Sequence, residues 1–230
     1  MTRITAPGTA APNAGACGAS AAPARSGHAR ITGPRESAPE ANRLLESRPI
    51  ELVRSSSLMM RALRTARTVG APDWLIGGAL IRDRVWNHLH GRAGCAPGKD
   101  VDLSFFEADS PRNDGERRFL GDLTKLAPDI SWGVTNQAHV HLWYPRVYGL
   151  ELPPLRCAAD ALRTWADTTI AVAVRLMADD RIRVVAPFGL DDLFGLLCRP
   201  NPAACSEALY SRHIARQRLR ARWPRVQILG

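Results

Sequence analysis

Asp100 and Asp102 stand two apart in the run Asp100-Val101-Asp102-Leu103-Ser104-Phe105, whose polar and apolar residues alternate. Alternation is the strand signal, and successive strand side chains point to opposite faces. Both carboxylates therefore share one face, roughly 6–7 Å apart along the chain, while Val101 and Leu103 face the core. Such a pair can grip one or two hard cations. Mg²⁺ takes one or two protein carboxylates and fills its octahedron with waters and substrate phosphates, and Mn²⁺ accepts the same oxygen ligands. Two such ions can clamp the attacking and leaving oxygens of a phosphoryl transfer. An isolated Asp-x-Asp can equally be the solvated face of a half-buried strand.

Upstream, Gly77-Gly78 follows the apolar run Trp74-Leu75-Ile76 and precedes a helical pattern. Glycine lets a backbone approach phosphate closely, and a helix N-terminus offers unpaired N–H groups and a favourable dipole. The plain alternative is a tight turn. Arg82, one turn further on, can reach a phosphate bidentately or serve as a structural ion pair. His139 and His141 lie two apart, so a strand there would put them on one face as a base or an acceptor contact. Two histidines are too few for a zinc site. Asp191 and Asp192 open an amphipathic segment, where capping is their expected role.

These residues need elements to hold them. Leu52, Met59, Leu63 and Ala66 recur at helical spacing before Gly70-Ala71-Pro72, which predicts a helix over 50–69. Strand, Gly-Gly turn and a helix carrying Ile81, Val85, Trp86 and Leu89 follow, then a Gly/Pro-bearing loop over 91–99 and the Asp-x-Asp strand. Residues 114–127 read as a helix and 130–134 as a strand, which 136–141 continues or caps. A short helix over 156–165 and a hairpin of 169–177 with 181–186 come next, then helices over 190–198 and 205–221.

The chain has 230 residues, 45% of them hydrophobic, enough for a sizeable core. Every apolar stretch is broken before membrane-spanning length. The net charge of +9 is concentrated: residues 206–230 hold six arginines against Glu207 alone. Such a tail could track a nucleic acid by counterion release, or be solvated helix charge in an Arg-biased protein. Five cysteines without a C-x-x-C argue against a disulfide scaffold or zinc knuckle and for a reducing, cytoplasmic setting. Of the first forty residues, 21 are Ala, Gly or Pro, so residues 1–46 are expected to be disordered. The expected division is 1–46, a domain over 47–205, and a basic helix and tail over 206–230.

Strand, Gly-Gly, helix and Asp-x-Asp strand, in that order, resemble the DNA polymerase β nucleotidyltransferase superfamily. Gly77-Gly78-Ala79-Leu80-Ile81-Arg82-Asp83-Arg84-Val85-Trp86, the aspartates, Asn136-Gln137-Ala138 with His141, and Ala186-Pro187-Phe188-Gly189-Leu190-Asp191-Asp192-Leu193-Phe194 look like a bacterial family of uncharacterised nucleotidyltransferase-like proteins within it. The resemblance covers about 55–205. It implies that Gly77 and Gly78 hold a triphosphate, that Asp100 and Asp102 bind catalytic Mg²⁺ or Mn²⁺, and that Asn136, Gln137 and His141 are family positions able to contact nucleotide or acceptor. Two departures stand out. Twenty-one residues separate Gly78 from Asp100, more than the superfamily's usual spacing. Most active members also supply a third carboxylate from a later strand, whereas 130–135 carries none and the nearby acids, Asp129 and Glu151, fall in expected loops.

The expected fold is α/β (α+β in some schemes), a mixed sheet backed by helices with a C-terminal helical extension. The expected reaction is Mg²⁺-dependent transfer of a nucleoside monophosphate from an NTP to an acceptor. A catalytically inactive nucleotide- or RNA-binding regulatory module is the alternative.

Overall fold

The computed structural model describes residues 47–92, 100–201 and 207–230. The expected disorder of 1–46 and most of the 91–99 loop lie outside these residues.

Helix α1 occupies 47–54 and α2 Ser57–Val69. The periodicity predicts one helix here, and the chain breaks it at Ser55-Ser56. The Ser56 hydroxyl accepts from the Met59 N–H as an N-cap, and Gly70 closes α2 in the left-handed conformation at φ 69°. Next come β1 (Leu75–Gly77), α3 (Ala79–Leu89), β2 (Asp100–Phe105), α4 (Asp114–Leu126) and β3 (Ser131–Asn136). A 3₁₀ turn at Gln137–His139 leads directly into α5 (Val140–Tyr148). Short α6 (Ala158–Ala161) precedes the hairpin β4 (Ala173–Leu176) and β5 (Ile182–Val185). The C-terminal part holds α7 (Asp191–Phe194), β6 (Leu197–Cys198), α8 (Glu207–Gln217), α9 (Leu219–Arg222) and β7 (Gln227–Ile228).

The main sheet runs β3-β2-β1-β4-β5, with β2 and β3 parallel and the other neighbours antiparallel. Ile76, Val101, Leu103, Trp132 and Val174 share one face and join the main core with α2, α3 and α4. Leu75 and Ala173 lie on the other face, in a small cluster with Ala158, Leu162 and Ala171. The result is a mixed α/β protein whose five-stranded sheet is backed by helices.

Three local expectations are corrected. Residues 190–198 form a single helical turn and then β6, because Gly195 ends the turn and Leu196 enters positive φ at 58°. β6 is held by a distant partner, β7, which no local pattern could announce. The 205–221 helix breaks at Arg218, φ 50°, which starts α9. His139 and His141 are not on a strand, because the Asn136 side chain accepts from the Ala138 N–H and turns the chain into helix.

The C-terminal segment packs into the main core through Tyr210, Leu219, Trp223 and Val226. Trp223 meets Trp86 edge to face at 5.2 Å between centroids, and its indole N–H donates to Asn87 Oδ1. Among the described residues no helix is long and apolar enough to cross a membrane.

Candidate functional site

Strand register brings the Gly-Gly turn to the carboxylates. Gly77 pairs with Asp102 across the antiparallel β1–β2 ladder, and Asp102 pairs with Gly133 across the parallel β2–β3 ladder. Ala173 stands opposite Gly77 on its other side. Asp102 is thus flanked by a row of small residues on the face opposite the main core. Val101 and Leu103 are buried at 0% and 1% exposure, as the alternation predicts.

Gly77 has no room for a side chain, since a Cβ would lie 2.7 Å from both the Ala173 Cβ and the Val172 carbonyl oxygen. Gly78 has a different constraint, its φ of 81° and ψ of −140°. That region is almost closed to L-residues. Gly78 is also the N-cap of α3, with no side-chain capping bond and no acidic residue in the first turn. Among the described residues no side chain caps this end of the eleven-residue helix, where the helix dipole favours an anion. Substituting Gly78→Ala is expected to cost about 1–3 kcal/mol of stability, from backbone strain. Denaturant unfolding reads this, and an alanine variant as stable as the wild type would refute the strain.

Asp102 keeps solvent access, yet the protein around it withholds hydration. Burial first, and the Asp100 charge second, push its carboxyl above the ordinary carboxylate range. Neither aspartate has a hydrogen-bonding or ion-pair partner among the described residues. Two carboxylates on one strand face, one of them raised by burial and by the charge of the other, fit a hard divalent ion completed by water and phosphate. Among the described residues no cluster of three or more His, Cys, Asp or Glu is built to hold a metal. On the face of Asp100 and Asp102, β3 presents Ser131, Gly133 and Thr135, so it supplies no third carboxylate.

Gln137 reaches the same face. Its Nε2 donates to Ser104 Oγ at 2.9 Å, one strand step along from Asp102. Asn136 spends its amide on the backbone: Oδ1 accepts from the Glu107 and Ala138 N–H groups, and Nδ2 donates to the Glu107 carbonyl at 2.8 Å. It braces the end of β3 and orients Gln137. His139 is 7% exposed and His141 half-buried at the start of α5. Burial, the Arg112 and His141 charges lower the His139 imidazole, with Glu107 opposing; burial lowers His141 against a backbone hydrogen bond to Ala138. Both rings are neutral at physiological pH.

Arg82 is completely buried. Its Nε and Nη2 donate to Asp83 Oδ1 at 3.0 and 2.7 Å, and Nη2 also to Gln217 Oε1 at 3.0 Å. The guanidinium lies 5.3 Å from the Trp86 ring and 5.5 Å from that of Trp223. Of its two alternatives, this is the structural ion pair.

Two neighbours of the site escape sequence reading. Trp165 stands against Gly78, its ring 3.4 Å from where a Cβ would sit. Its backbone is held by Asn201, whose Nδ2 donates to the Arg163 and Trp165 carbonyls, and the buried Asp167 lies two residues further along the chain. Burial raises the Asp167 carboxyl, but hydrogen bonds from His213 and Thr169, with the His213 and Arg82 charges, outweigh it and hold the group below its ordinary value. Gly133 is the other. Neither has a local signature, because each matters only through a residue brought next to it by the fold.

The structure is similar to a solved NMR structure described as revealing a CCA-adding enzyme head domain. The TM-score is 0.69 at 21% identity, over 80% of this chain and 95% of that one. At that identity the likeness establishes the fold. A search of curated proteins finds no match. A nucleotidyltransferase family model matches residues 64–228, beginning just upstream of the Gly-Gly turn and running through β7, and the chain belongs to the nucleotidyltransferase family.

Proposed function

We propose that the protein is a Mg²⁺-dependent nucleotidyltransferase that moves a nucleoside monophosphate from an NTP to an acceptor hydroxyl or phosphate, with release of pyrophosphate. The observation that carries this reading is the pairing of Gly77 with Asp102. It supports the reading because the Gly-Gly turn and the Asp102 carboxylate are then on adjacent strands, about 5 Å apart at their Cα atoms.

Gly77 and Gly78, with the uncapped N-terminus of α3, receive the polyphosphate. Asp100 and Asp102 hold Mg²⁺, or Mn²⁺ in its place, which when bound neutralises charge developing on the transferred phosphoryl group. Gln137, fixed by Ser104 on the face of the two aspartates, and neutral His141, four residues further along the chain, are offered as contacts for the acceptor or the nucleotide. Neutral imidazole can take a proton from an attacking hydroxyl, a task for which β3 offers no carboxylate. Positioning and charge neutralisation carry most of such a reaction.

The test is thermal unfolding with each NTP, with and without Mg²⁺. A nucleotide at about 100 times its dissociation constant should add roughly 2.7 kcal/mol of stability, and only in the presence of the metal. Absence of a Mg²⁺-dependent shift with every NTP would sink the proposal.

The lack of a third carboxylate on β3 favours a second reading, an inactive module that binds nucleotide or RNA. Arg212, Arg216 and Arg220 are exposed on α8 and α9 and could meet a nucleic-acid backbone. Metal-dependent binding without pyrophosphate release, for any acceptor, would select this reading.

A further inference from the structure

Gly133 sits inside a regular strand, yet its φ is not positive, so its backbone does not require glycine. Glycine within a strand costs about 0.5–1 kcal/mol relative to alanine, and it commonly marks close approach of another group. The group here is the Asp102 side chain. A Cβ on Gly133 would lie 2.4 Å from Asp102 Oδ1 and 3.5 Å from its Cγ, against 3.8 Å from the Asp102 Cα. The carboxylate leans across the sheet and occupies the space that any side chain at 133 would fill.

We infer that Gly133 is a positioning residue: its missing side chain lets the Asp102 carboxylate lie across β3 in the orientation that binds the metal. The inference rests on the two-carboxylate metal reading above. It also accounts for the missing acid. A carboxylate at the position opposite Asp102 would need a Cβ where Oδ1 already is, so β3 cannot supply one there while Asp102 keeps its orientation.

A methyl group at 133 forces Asp102 to turn about its side-chain torsions into another rotamer. The obstacle is a short, solvent-reachable side chain and not backbone, so the strand itself can persist. Metal binding and folding should then respond differently, which separates a positioning role from a structural one.

The experiment compares wild type, Gly133→Ala, Asp102→Ala and the double variant in the full chain. Mn²⁺ affinity is read by water-proton relaxation, and stability is read by metal-free thermal unfolding. Gly133→Ala is expected to weaken Mn²⁺ binding by about 10–100-fold, the range seen when a group that orients a metal ligand is altered. In the Asp102→Ala background the same change should have no effect on residual Mn²⁺ binding. It should also raise the melting temperature more than it does in the wild-type background, because the carboxylate it would meet is gone. Unchanged Mn²⁺ affinity in Gly133→Ala overturns the inference. So does a loss of stability that is the same in both backgrounds, since the clash would then not involve Asp102. If Gly133→Ala alone fails to fold, recovery of folding in the double variant supports the inference and continued failure overturns it. A wild type that binds no Mn²⁺ defeats the functional proposal and the metal half of this one, and the thermal cycle still decides whether Gly133 accommodates Asp102.

Discussion

Replacing Asp100 and Asp102 together with asparagine should abolish Mg²⁺-dependent nucleotide binding and leave the fold intact. The strand is anchored by Val101, Leu103 and Phe105, all within 1% of full burial on the opposite face, so the amide groups need satisfy nothing in the core. Without a cation, the two carboxylates repel each other and Asp102 is partly stripped of water. The folded protein therefore holds the Asp102 proton more tightly than the unfolded chain does. In metal-free protein the stability from this group is full below its ordinary pKa, is lost as pH rises through the raised folded value, and stays lost at neutral pH. The variant should accordingly be as stable as metal-free wild type or more so, with a flatter acid limb. Calorimetric titration of Mg²⁺-NTP checks the first expectation, and thermal unfolding from pH 4 to pH 7 the second. A double variant that still binds Mg²⁺-NTP like the wild type would refute the site.

Asp83→Ala should produce the largest loss of stability of any single change considered. Asp83 is 5% exposed and accepts from the fully buried Arg82, while its other oxygen receives Arg222 Nη2 at 2.5 Å. Removing it leaves the Arg82 guanidinium buried without its anion, with Gln217 as its remaining hydrogen-bond acceptor among the described residues. Breaking one side of a buried ion pair typically costs about 3–5 kcal/mol. The Arg222 arm adds little, because that side chain is 43% exposed and screened. The damage should spread to the C-terminal segment, since Arg82, Trp86 and Asn87 on α3 are the groups against which Gln217 and Trp223 dock. Chemical denaturation measures the loss, and hydrogen exchange in α8 and α9 should rise ahead of exchange in the sheet. Stability within about 1 kcal/mol of wild type would show the pair to be dispensable.

The two predictions differ in how far they could be foreseen. Alternation in 100–105 was sufficient to put both aspartates on one face and Val101 and Leu103 on the other, because strand geometry allows nothing else. Gly77-Gly78 between an apolar run and a helical pattern was likewise readable as strand, turn and helix. Arg82 was not. A guanidinium one turn into that helix has the same sequence context whether it faces a phosphate or Asp83, Gln217 and two indoles. Gln217 and Trp223, both more than 130 residues along, close the pocket around it and decide it. His139 and His141 mislead for a related reason, since their spacing fits a strand and only the Asn136 cap turns them into a helix.

By itself, then, the sequence determined the local pieces and the order of the motifs: the Gly-Gly turn, the Asp-x-Asp strand, and the helices that repeat an apolar stripe. These follow from backbone sterics and periodicity, which act over a few residues. Tertiary structure decided which pieces meet. It set Gly77 against Asp102, left Gly133 bare beneath the carboxylate, stood Trp165 beside Gly78, and drew the arginine-bearing C-terminus into the core through Trp223. Such pairings depend on strand register and on burial across long separations, and nothing in a short window of residues carries that information.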